Sequence, residues 1–185
     1  MGILTCAITG YRPSRFRFKY NENNKDCKRI KRRMEEQFSL LYQKGVHHFI
    51  VGGALGVDMW AGEILLAMKE KSEFSEIKLT MALPFEEYDV DWDRVSRERK
   101  NQIPKLAEVL VIGKEPGTPS YTKRNHFMVD HADIVLAVYD NDRKIRSGTA
   151  LTVRYAERKE RPVILIHPDN GKVCCIGSSN IFLEN

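Results

Sequence analysis

Apolar residues recur along the chain as short, nearly unbroken runs: 3–9 (ILTCAIT), 48–52 (HFIVG), 77–84 (IKLTMALP), 108–113 (EVLVIG), 133–140 (DIVLAVYD) and 162–167 (PVILIH). They are rich in β-branched residues and do not alternate with polar ones. Strands buried on both faces of a parallel sheet read this way. Between them the period lengthens. Ile30, Met34, Phe38 and Leu41 form a stripe at helical spacing, with Gly45 as its stop. Trp60, Ala61, Ile64, Leu65 and Met68 form a second stripe, and 149–158 a third, closed by Pro162. The stretch 123–132 reads as a short helix before the fifth strand. Alternation of strand and helix predicts an α/β fold, a Rossmann-like, doubly wound, mostly parallel sheet. The segment 86–93 reads as an acidic, aromatic loop.

With 185 residues and 42% hydrophobic content, the chain suits a single domain with a sizeable core. Its expected extent is 1–170, followed by a tail, 171–185, with one short strand at 172–176. No apolar stretch approaches the ~20 residues of a membrane span, and the start lacks the basic leader of a signal peptide. The expected location is therefore the cytoplasm, away from membranes. The opening MGILTC departs from a myristoylation signal because Cys6 stands where Ser or Thr is required. The four cysteines contain no C-x-x-C pair, which argues against a zinc ribbon or a thioredoxin-like motif. Cys6 and Cys27 read as small core residues. A net charge of +5 suits an anionic ligand but does not separate a small phosphate from a nucleic acid.

In a doubly wound sheet, ligands bind beyond the carboxyl ends of the strands. Four segments fall there: 9–13 (TGYRP), 52–58 (GGALGVD), 83–92 (LPFEEYDVDW) and 146–150 (RSGTA). Gly52, Gly53 and Gly56 precede a helix whose free N–H groups and positive dipole end would suit a phosphate. Asp58 lies in that helix's first turn, as a dipole-matched acid or a ribose ligand. The plainer reading is a tight strand-to-helix turn. Gly148 and Thr149 repeat the pattern at another helix start, where an ordinary N-cap is the plainer reading. Arg12 follows the first strand and points to the crevice. The P-loop pattern is absent, and G-x-G-x-x-G fails at Val51. His47 and His48 are adjacent on a strand, so they face opposite sides. All five histidines read as structural or surface residues, and no metal site or cofactor is expected. The basic, aromatic stretch 11–20 (YRPSRFRFKY) allows a nucleic-acid surface. The run 25–33 (KDCKRIKRR) reads as the solvated face of the first helix.

Taken together, these motifs resemble the SLOG superfamily, which joins DprA/Smf proteins and the LOG nucleotide hydrolases. GGALGVD resembles the DprA-like glycine loop. KRNHFMVDHADIVLAVYD followed by RSGT resembles the LOG region. TGYRP, the GxLGVDxWAxE pattern, the Pro84-Phe85 pair and a downstream Trp92 resemble the YpsA/YoqJ-like branch of bacteria and their prophages. The resemblance implies a pocket for a nucleotide or nucleotide-derived ligand, ADP-ribose-like, held by a sensor or sequestering protein. Carried over, Gly52, Gly53, Gly56 and Asp58 match the glycine loop, Arg124 the LOG arginine, and Gly148 and Thr149 the Gly-Thr loop; Thr9, Gly10, Arg12, Pro84, Phe85, Trp92 and Asn125 complete the expected ligand contacts. Tyr11, Phe85 or Trp92 would stack the base. One departure stands out: the catalytic Glu of LOG hydrolases falls here on Thr152. Cleaving an N-glycosidic bond needs a carboxylate, so no catalytic residue is assigned. Glu86, Glu87 and Asp89 are the acids that would have to substitute. Two other readings stay open: a nucleotide N-glycosidase and a single-stranded nucleic-acid binder. A homo-oligomer is also allowed.

Overall fold

A computed structural model describes residues 2–177; the rest of the expected tail, 178–185, lies outside the described residues. Among them, seven strands form one sheet: β1 (Leu4–Gly10), β2 (Val46–Val51), β3 (Lys78–Leu83), β4 (Glu108–Val111), β5 (Ile134–Val138), β6 (Val163–Ile166) and β7 (Val173–Ile176). Their order is β4-β3-β2-β1-β5-β6-β7. All neighbours are parallel except β6 and β7, which are antiparallel. The chain starts in the middle, builds outward to β4, then returns beside β1 to build the other half. The strand order therefore reverses between β1 and β5, where a crevice must open.

Among the described residues, five α-helices flank the sheet: α1 (Lys25–Gln43), α2 (Val57–Lys69), α3 (Arg94–Lys100), α4 (Thr118–Asp130) and α5 (Gly148–Arg158). The expected stripe of α1 is fully buried, with Cys27 beside it. α1 packs on α2, and α4 on α5; right-handed crossovers put the two pairs on opposite faces. α4 starts five residues before the expected 123. Pro119 and Gly117 look like loop residues in sequence, yet Pro is well suited to a first helical turn, where its missing N–H costs nothing. α3 was not expected. It buries none of its residues, so it carries no apolar stripe to read. Asp93 caps it by accepting from the Ser96 N–H, and Arg99 ties it to Glu63 on α2 and to Glu22.

His47 and His48 do face opposite ways. His47 stacks on Tyr42, with ring centres 4.5 Å apart. His48 sits between Thr5 and Thr80, 3.2 and 2.8 Å from their hydroxyls, and Thr80 donates to Glu108 at 3.0 Å. This polar ladder crosses β1 to β4 at the amino ends of the strands, away from the crevice. Burial lowers the His48 pKa from its ordinary value.

Candidate ligand-binding crevice

A cavity of about 320 Å³ lies at the carboxyl end of β1, beside the start of α5. Four segments build it: Thr9 to Arg12 and Arg15 from the end of β1 and the strap beyond it, Ala54 and Asp58 after β2, Tyr121, Arg124 and Asn125 on α4, and Ser147 to Thr149 with Thr152 at the start of α5. Of the residues expected from sequence, Thr9, Gly10, Arg12, Asp58, Arg124, Asn125, Gly148 and Thr149 meet here. Gly52, Gly53, Gly56, Pro84, Phe85 and Trp92 lie outside the lining.

The three loop glycines serve the protein's own packing. A side chain at Gly52 would collide with the Arg124 guanidinium, which donates to the Gly52 carbonyl. Gly53 has φ +71°, and its carbonyl accepts from the Tyr88 hydroxyl at 2.7 Å. Gly56 ends the loop, where a Cβ would lie 2.7 Å from the Tyr11 carbonyl oxygen. Gly148 differs. Its backbone needs no positive φ, and a Cβ there would meet nothing within 4 Å. It opens α5, whose first amide groups have no partner inside the helix. Ser147 caps the helix by accepting from the Ala150 N–H at 3.0 Å.

Arg124 is only 5% exposed. Besides Gly52, it donates to the Ala82 carbonyl at 3.4 Å, and it lies 3.9 Å from Asp58 Oδ2. Its Nε is buried with no hydrogen-bond partner among the described residues. Asp58 also accepts from the Ala54 N–H at 3.2 Å. Burial pushes the Asp58 carboxyl up, with Arg124 opposing. Burial likewise draws Arg124 down, with Asp58 opposing. The guanidinium is thus incompletely matched, and an anion in the cavity would relieve its desolvation.

Sequence reasoning missed Tyr121. Arg12 lies 5.5 Å and Arg124 5.9 Å from its ring centre, and Phe85 supports it edge-on from behind at 5.6 Å. Its signal was its place three residues before Arg124, on the same helix face. The residues expected to stack a base are otherwise engaged. The Tyr11 ring is buried and its hydroxyl donates to Asp140 at 2.8 Å. Trp92 packs edge-on against Tyr88. Thr152 does face the cavity, and its hydroxyl donates to the Gly148 carbonyl at 2.9 Å. Glu86 and Glu87 are exposed, Asp89 pairs with Lys100 at 2.6 Å, and none of the three lines the cavity. Among the described residues, no three His, Cys, Asp or Glu side chains are grouped to hold a metal, and no helix is long and apolar enough to cross a membrane.

A family model described as the YspA SLOG family matches residues 6–170. The chain belongs to this family. The SLOG chain is 28% identical over 158 residues to UPF0398 protein BH1768 of Halalkalibacterium halodurans, covering 84% of the chain and 82% of that relative. It is 24% identical over 174 residues to UPF0398 protein BLi02355/BL05236 of Bacillus licheniformis, covering 90% and 92%. In structure it is similar to DNA processing protein A of Helicobacter pylori, described for its single-stranded DNA binding mode, with TM-score 0.59 and 19% identity over 88% of the chain. It is similar to TM1055, with TM-score 0.57 and 18% identity over 91% of the chain and 76% of that protein. It is also similar to DprA of Streptococcus pneumoniae, with TM-score 0.58, 16% identity and 88% of the chain covered. The SLOG chain spans 65% of the Helicobacter protein and 50% of the Streptococcus one. At these identities the structural likeness is one of fold.

Proposed function

We propose that the crevice binds a small nucleotide or nucleotide-derived ligand, which the protein senses or sequesters. The observation that carries this is the company Gly148 keeps. Neither backbone conformation nor packing calls for glycine there, yet it opens a helix beside the Arg12, Arg15 and Arg124 cations. A phosphoryl group would accept from the free amides of α5 and face the guanidiniums. Tyr121, which lines the crevice between the Arg12 and Arg124 guanidiniums, would contact the base or sugar. Membership of the SLOG family supports a ligand of this class.

The Helicobacter neighbour's DNA binding favours a second reading, a single-stranded nucleic-acid binder. Such surfaces need exposed aromatics among cations. Here Tyr11, Phe16 and Phe18 are buried, and Phe16 stacks on Phe18 and leans on Trp60. Lys31 and Arg33 of α1 are paired with Glu22 and Glu36. The small ligand is therefore the better reading.

The test is calorimetric titration of wild type and Gly148→Val with nucleoside mono- and diphosphates. A Cβ at Gly148 meets nothing within 4 Å in the free protein and the backbone there has no positive φ, so the melting temperature should hold. It would occupy the phosphate's place, and affinity should fall roughly tenfold or more, ~1.4 kcal/mol or above. Unchanged affinity in the folded variant removes α5 from the site and overturns the proposal.

A further inference from the structure

A second, outer hollow of about 460 Å³ adjoins the crevice where the exposed Arg146 and Leu151 line it. The two are continuous: Arg15, Thr118, Tyr121, Asn125, Ser147 and Gly148 line both. The outer hollow adds Arg146 and His126. Arg15 pins its walls together, donating from Nη2 to the Arg146 carbonyl at 3.3 Å.

The charge along this path is one-sided. Arg12, Arg15 and Arg146 form no ion pair among the described residues, and Asp58, the one carboxylate in either lining, already faces Arg124. Four guanidiniums thus meet one carboxylate, and three positive charges are left over. The dipole of α5 adds positive potential at the junction of the hollows. A single phosphoryl group brings about two negative charges. It would leave one end of the path uncompensated, and like charges in a partly desolvated cleft repel strongly.

Resting on the nucleotide reading above, we propose that the crevice takes a ligand with two linked phosphoryl groups. One would sit inside, on the α5 amides and Arg124. The other would lie outside, between Arg15 and Arg146. Tyr121, which lines both hollows, would be the shared wall.

Orthophosphate and pyrophosphate probe this without a base or sugar. Each is titrated into wild type and Arg146→Ala at low salt. Arg146 is exposed and only its backbone carbonyl is used by a neighbour, so the variant should fold normally, which melting checks. Wild type should bind pyrophosphate roughly tenfold more tightly than orthophosphate, one charge-assisted contact's worth. Arg146→Ala should erase most of that preference and leave orthophosphate within about twofold. Equal binding of the two anions, equal losses for both in the variant, or no binding of either overturns the proposal. The two readings fail separately. Nucleotide binding that Gly148→Val abolishes, with no pyrophosphate preference, leaves the nucleotide reading and sinks this one. A pyrophosphate preference lost in Arg146→Ala, with no nucleotide bound, does the reverse.

Discussion

At the scale of single residues, the glycines around the crevice separate into two kinds. Gly52, Gly53 and Gly56 are explained by what the fold does to them; Gly148 is not. Gly53 makes the difference measurable. Its φ of +71° is one that β-branched residues avoid, and a Cβ there would lie 2.8 Å from both the Leu83 side chain and the Tyr88 hydroxyl. Gly53→Val should therefore lower stability by about 1–3 kcal/mol, from backbone strain plus overpacking. Urea denaturation with an unchanged midpoint would contradict this. Gly148→Val, which has neither burden, should cost ligand affinity and little stability. The sequence set Gly53 the more clearly in a phosphate loop and left Gly148 at an ordinary N-cap, because composition does not report whether a missing side chain is replaced by protein or by ligand. Tyr121 shows the same blindness from the other side. Its spacing of three from Arg124 was all that set it apart from the aromatics at 11, 85 and 92, and that spacing counts only once α4 is seen to turn this face to the crevice.

At the scale of elements, the strap between β1 and α1 carries Arg12 and Arg15 into the crevice, and its far end is latched at Glu22. Glu22 accepts from Arg99 at 2.7 and 2.8 Å, Lys31 at 2.6 Å and Trp60 Nε1 at 2.9 Å, joining α1, α2 and α3. Burial alone would raise its carboxyl, but these hydrogen bonds prevail and hold it down at about 2, against its usual 4.5. The folded state therefore favours the ionised form more than the unfolded chain does. That stability is present above about pH 4.5 and is lost as pH falls toward 2. Glu22→Gln should cost on the order of 2 kcal/mol at pH 7, allowing for partial solvent screening. It should also flatten the acid dependence between about pH 4.5 and 2. Urea melts of both proteins at pH 7, 4 and 3 check this; parallel pH profiles would remove Glu22 from the latch. The latch also accounts for α3, which the sequence hid. A helix whose one apolar residue, Val95, is exposed, and which ion pairs from other elements hold in place, has no apolar periodicity of its own.

At the scale of the molecule, the chemistry open to the crevice is set by which carboxylates reach it. Asp58 is held between Arg124 and the Ala54 amide, and Thr152, which lines the crevice from α5, is not an acid. No free carboxylate lines either hollow, so adenine release from adenosine monophosphate should stay at the level of a buffer blank. Chromatography of the reaction mixture decides it, and adenine rising with enzyme concentration would establish a glycosidase. The strands, four of the five helices and the strand-end position of the crevice were legible in the chain, because each leaves a local periodicity. Continuous apolar runs mean burial on both faces, and stripes at helical spacing mean burial on one. The SLOG resemblance was legible too, since its motifs are contiguous. Side-chain aim was not. That Arg124 turns toward the β2 loop, that the aromatics of 11–18 fill the core, and that the inner hollow continues to Arg146 depend on partners far away in sequence. Periodicity says which face of an element is covered, while only the packed structure says by what.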